Sequence, residues 1–96
     1  MIRGVWETFS VFINGVKLDI AESLAVREIG TMFGWGGNGD FSKQLALAIL
    51  LKYTTPELAL MFHIDFWWDV ISELPQTHFE LSEDSVREWI DKRAKG

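Results

Sequence analysis

Between residues 7 and 20, "ETFSVFINGVKLDI", apolar side chains recur at every second position: Phe9 and Val11, then, past Asn14-Gly15, Val16, Leu18 and Ile20. Alternation with period two is the signature of a strand with one buried face. Asn-Gly between two such runs suits a two-residue type I′ turn, because both residues tolerate positive φ. The pattern therefore predicts a β-hairpin. The next stretch, "AESLAVREIGTMF" (21–33), fits neither period cleanly and reads as irregular or only briefly structured.

Three helices follow. From Gln44 to Tyr53 only Gln, Lys and Tyr interrupt the apolar residues, and a helix that is apolar nearly all round is a buried one. Asp40 stands where its N-cap is expected, giving a helix over about 41–53 at the centre of the fold. Thr55 is a good N-cap and Pro56 takes the favoured first position of a second helix, predicted to run to about Leu74 before Pro75 stops it. In the third, Ser82 caps, Glu83 and Asp84 suit the positive end of the helix dipole, and Leu81 is placed to staple onto Val86. Val86, Trp89 and Ile90 form its apolar stripe, and Lys92, Arg93 and Lys95 suit its carboxyl end. The whole predicts an α+β fold, an N-terminal β-hairpin packed on three helices with the 41–53 helix buried, as one domain over 1–96 without repeats or linker.

Composition narrows the partners. Fourteen acidic against nine basic side chains give a net charge of −5, which disfavours a sequence-independent grip on nucleic acid phosphates. No cysteine is present, so disulfides and thiolate zinc sites are excluded. The longest apolar run, Leu45 to Leu51, falls far short of the roughly 18–20 residues that span a bilayer, and "MIRGVWETFS" has no signal-peptide core. A soluble, cytoplasmic protein without membrane association is the expectation. Five Trp and seven Phe in 96 residues are more aromatic surface than a small core readily covers, and Trp is enriched at binding hot spots.

The segments "FGWGGNGDFSKQLALAILL", "DFWWDVISELP" and "FELSEDSVREWI" together resemble a family of small uncharacterised bacterial and phage proteins known only as a domain of unknown function. Its pattern runs W-G-x-G-x-G-x-x-x-Q-L-A-L-A-x-L, then D-F-x-x-x-V-x-x-x-L-P. Trp35, Gly36, Gly39, Gln44-Leu45-Ala46-Leu47-Ala48, Asp65-Phe66, Val70 and Leu74-Pro75 fall on it, and "VFINGVKL" is similar to the family's opening. The chain departs at Gly37 in place of Tyr, Phe41-Ser42-Lys43 in place of Gly-Pro-Ala, and Trp67 in place of Lys. The resemblance implies a fold and a phage or mobile-element origin, but no activity.

Gly34, Gly36 and Gly39 spell a literal G-x-G-x-x-G ahead of a helix. A dinucleotide site also needs a preceding strand in a βαβ unit, and a Walker loop needs Gly-Lys-Ser/Thr; neither is present, and Asp40 would place negative charge where a phosphate must sit. The glycines are expected to serve positive φ and close packing under Trp35, and Gln44 to tie the loop down by hydrogen bonds. The alternative is a small-ligand site formed by Trp35, Gly36, Gly39 and Gln44. His63 and His78 lack metal-ligand spacing, and the resemblance, in which Tyr stands at the position of His63, implies a half-buried ring with a polar tip there. No serine or threonine shows an activated-nucleophile setting. The expectation is no enzyme, no metal and no cofactor.

On the long helix Ala59, Phe62, Phe66, Val70 and Leu74 share the core stripe. Leu60, Ile64, Trp67 and Ile71, with Trp68 alongside, form a second stripe, read either as further core or as a partner-binding face. Asp65, Asp69 and Glu73 make an acidic stripe, read as a solvated face balanced by Lys92, Arg93 or Lys95, or with Asp65 and Asp69 as contacts to a basic partner. The favoured function is a non-catalytic protein-interaction module, a phage- or mobile-element-encoded modulator or inhibitor of a host protein. Its partner is a protein or a second copy, as a homodimer. A structural homo-oligomer is the further alternative.

Overall fold

Asn14 and Gly15 take φ of 51° and 82°, and the chain reverses there as the Asn-Gly pair requires. In the computed structural model, which describes residues 1–37 and 39–95, the turn joins β2 (Ser10–Ile13) to β3 (Val16–Lys17). The hairpin is only part of the sheet. β1 (Ile2–Val5) and β4 (Phe79–Leu81) complete an antiparallel sheet of order β3-β2-β1-β4. Ile2 pairs with Ile13 on one side and Leu81 on the other, and Gly4 with Val11 and Phe79.

Gly4 is required by its neighbour: a Cβ there would lie 2.1 Å from the Phe79 ring, which rests over the glycine. The turn from β1 to β2 ends at Phe9, whose φ is 53°. A non-glycine residue in this region costs about 1 kcal/mol. Phe9 offsets that cost by packing its ring 4.8 Å from Trp6 and 5.5 Å from Trp35.

Residues 21–33, expected to be irregular or only briefly structured, hold one short helix, α1 (Ala21–Val26). The central helix α2 (Asp40–Leu51) is buried from Gln44 through Leu50, as its apolar sequence demands. Its N-cap is Gly39, in extended conformation, and not Asp40, which is the first helical residue and makes no capping bond. In α3 (Pro56–Asp69) the Thr55 hydroxyl accepts from the Leu58 N–H at 3.3 Å. This helix stops short of Leu74. Val70 leaves helical geometry, Ile71–Glu73 form a single 3₁₀ turn, and Leu74 is extended ahead of Pro75, as the residue before proline prefers. The Ile71 carbonyl, released from the α ladder, accepts from the Gly36 N–H at 3.0 Å. In α4 (Glu83–Lys95) Ser82 caps through Ser85 N–H at 3.1 Å.

The core gathers Ile2, Val11 and Phe79 from the sheet with Leu45, Ile49, Phe66, Ile71, Val86 and Ile90 from the helical layer. Arg3 and Glu80, on the other face of the sheet, are exposed and form an ion pair at 3.0 Å. The fold is α+β, as expected, but with four strands and a further short helix.

Candidate functional site: the outer face of α3

The glycine loop turns its polar groups inward. The Trp35 indole donates to the Thr77 carbonyl at 2.8 Å, the Gln76 amide to the Gly36 carbonyl at 2.7 Å, and the Trp67 indole to the Gly37 carbonyl at 3.1 Å. Gly36 has φ of 73°, and a Cβ there would stand 2.6 Å from the Leu74 carbonyl oxygen. Gly39, expected to need positive φ, has φ of −133° and meets nothing closer than 3.9 Å. Asn38, in the same loop, lies outside the described residues.

Gln44 is fully buried and fastens a different segment from the one expected. Its carbonyl oxygen accepts from Ile29 N–H at 2.7 Å and Gly30 N–H at 3.0 Å, and its amide donates to Ser23 Oγ at 2.9 Å and the Arg27 carbonyl at 3.2 Å. It clamps α1 and the irregular segment after it onto α2. Trp35, Gly36 and Gln44 thus have their polar atoms committed within the chain. Cavities of 510 and 340 Å³ open elsewhere, the first against Phe9 and Met32, the second between Lys52, Tyr53 and Arg87.

The second stripe of α3 is divided by the fold. Trp67 is only 9% exposed and Ile71 is fully buried, so of the two readings of this stripe these two positions follow the one that makes them further core. Trp67 is covered because the Gly37 carbonyl takes its indole N–H while the Lys43 ammonium lies over its ring at 4.8 Å. Ile71 is buried because the break at Val70 redirects the chain. Leu60 is half-buried.

What remains open is Ile64 at 44% and Trp68 at 62% exposure, joined by Met61 at 68%. Met61 was missed in the sequence reading, although its spacing to Ile64 and Trp68, i, i+3 and i+7, places all three on one helical line. Together they present roughly 400 Å² of apolar surface, within the range of the largest patch on a monomer, which is often functional. Trp68 makes no indole hydrogen bond among the described residues, whereas Trp35, Trp67 and Trp89 each do.

The acidic residues beside this line hold α3 to α4. Asp65 pairs with Arg93, and Asp69 accepts from the Trp89 indole at 3.0 Å. Both carboxylates remain accessible at the surface, so they border the open line as well as fasten the helices.

His63 is buried more deeply than expected, at 4% exposure. Its Nδ1 lies 2.6 Å from the Leu60 carbonyl, which only accepts, so Nδ1 carries the proton. Burial, reinforced by the positive charges of Arg27 and Lys43, lowers its pKa against the opposing effect of that bond. His78 accepts from Trp6 N–H through Nδ1 at 3.0 Å. At the far end of the molecule the Tyr53 hydroxyl donates to Glu83 at 2.8 Å, and burial followed by that carboxylate raises the phenol's pKa.

Among the described residues no group of three His, Cys, Asp or Glu side chains is placed to hold a metal, and no helix is long and apolar enough to cross a membrane. No curated protein and no solved structure matches the chain. The sequence model of a family of unknown function (DUF6166) matches residues 7–92, nearly the whole chain, and the protein belongs to that family.

Proposed function

We propose that the protein is a non-catalytic protein-binding module that docks through the Met61–Ile64–Trp68 line of α3. The observation that carries this reading is the exposure of Trp68, 62%, beside Met61 and Ile64 on a helix whose opposite side already supplies the core. A large indole held in water on a well-packed helix has the character of a hot spot: it offers a wide apolar area with only two side-chain torsions to fix on contact. The absence of catalysis is supported by the histidines, since His63 is buried with its Nδ1 proton committed and His78 is tied to a backbone amide. The cellular role in this reading is that of a phage- or mobile-element-encoded modulator in the cytoplasm, which rests on the resemblance of the Trp-Gly and Asp-Phe segments.

A photo-crosslinking amino acid placed at position 68, and separately at position 88 on the exposed side of α4, tests the docking face inside bacterial cells. Adducts are expected from position 68 and not from position 88. No adduct from 68, or the same adducts from both positions, removes the reading.

A further inference from the structure

The charges around the Met61–Ile64–Trp68 line form a self-complementary set. On the α4 side, Lys92 borders Met61 at one end, and Asp69, bonded to Trp89, stands at the Trp68 end. Between them Asp65 and Arg93 form an ion pair whose charges cancel. The α4 flank of the line therefore carries a base at the Met61 end and an acid at the Trp68 end.

Accepting that this line is a docking face, we propose that its occupant is a second copy of the chain, with the two α3 helices antiparallel about a two-fold axis passing between Ile64 and Asp65. Met61 and Trp68 lie seven residues apart, about 10 Å along the helix. The axis sets the Met61 of each copy against the Trp68 of the other, a sulfur–aromatic contact of a favourable kind, and Ile64 against Ile64. The same rotation brings the α4 flanks of the two copies together with Lys92 opposite Asp69. Antiparallel alignment also opposes the two helix dipoles, which is the attractive orientation. With its charged rim the contact buries on the order of 1,200 Å² in all, the lower end of specific interfaces, so the dimer is weak and concentration-dependent.

Sedimentation equilibrium of the purified full chain over a wide concentration range is the test. The wild type is expected to pass from monomer to twice the monomer mass. Trp68→Glu is expected to be monomeric throughout with unchanged circular dichroism, and Met61→Lys, at the other end of the line, to behave alike. Lys92→Glu and Asp69→Lys are each expected to weaken association about tenfold, since symmetry repeats each exposed pair twice. The double variant, which exchanges the two charges, is expected to recover most of the loss, because each residue meets the other only across the axis. A foreign partner has no reason to show that recovery. A wild type that stays monomeric, or a double variant weaker than either single one, overturns the second-copy occupant. If the wild type is monomeric while position 68 still crosslinks to another protein, the docking face stands and only its occupant is wrong.

Discussion

Removing the Gln44 amide should be the most damaging single change to a polar side chain in this protein. Gln44→Leu keeps the volume and the buried position but leaves the Ile29 and Gly30 N–H groups without an acceptor, and the Arg27 carbonyl and Ser23 hydroxyl without a donor. The Ser23 hydroxyl still donates to the Ile20 carbonyl at 2.9 Å, so its loss is small. The two amides carry the cost. The Gly30 N–H is buried and the Ile29 N–H partly so; at about 1–3 kcal/mol for an orphaned buried donor, the substitution costs ~3 kcal/mol. That is a large share of the roughly 5–14 kcal/mol expected for a chain of this length and corresponds to a fall of about 20 °C in Tm. Urea unfolding followed by circular dichroism gives the magnitude. Hydrogen exchange should show Ile29 and Gly30 losing protection before the α2 amides do. Gln44→Glu supplies the control: at neutral pH it buries a carboxylate against the Arg27 carbonyl, whereas the protonated acid again both accepts and donates. Burial raises that carboxyl's folded pKa above its unfolded value, so stability relative to wild type should improve as pH falls through the folded pKa. A loss below ~1 kcal/mol for Gln44→Leu, or a pH-independent loss for Gln44→Glu, would refute the argument.

Gly36→Ala should cost about 2 kcal/mol or more, because positive φ and the Leu74 carbonyl both oppose a Cβ, while Gly39→Ala should stay within about 0.5 kcal/mol; equal effects in thermal melts would show that the two glycines are not distinguished by backbone geometry. For His63 the folded pKa lies below the ordinary 6.5, so the unfolded chain takes up the proton first and stability should fall as pH drops below about 6.5. In His63→Leu that part of the pH dependence should disappear, and its persistence would assign the slope to other groups. Asp65→Asn combined with Asp69→Asn should cost no more than about 1 kcal/mol by urea unfolding, since both interactions are exposed at the surface; a much larger loss would mean that they set the α3–α4 packing.

The elements whose chemistry is local were legible in the chain. Asn14-Gly15 specifies its turn, Thr55-Pro56 and Ser82 their helix starts, and the unbroken apolar run after Gln44 a helix with no wet side, because each signal rests on φ preference, a hydrogen bond three residues on, or the helical period. The α+β class follows from their sum. β1 and β4 were not legible: "IRGV" and "FEL" are too short to show a period, and they become strands only because each finds backbone partners in segments far away in sequence. Gln44 was recognised as a structural tie, but its partners, Ile29 and Gly30, lie in a stretch with no pattern of its own and are positioned by that same side chain. The outer line of α3 shows the division most clearly. Periodicity placed Ile64, Trp67, Trp68 and Ile71 on the side away from the core stripe, yet it could not say which of them would meet water. That was decided by the glycine loop, whose Gly37 carbonyl draws Trp67 inward, and by the break at Val70, which buries Ile71 and leaves Trp68 beside Met61 on the surface. A sequence period gives the direction in which a side chain leaves its helix, and only the tertiary structure determines what stands in that direction.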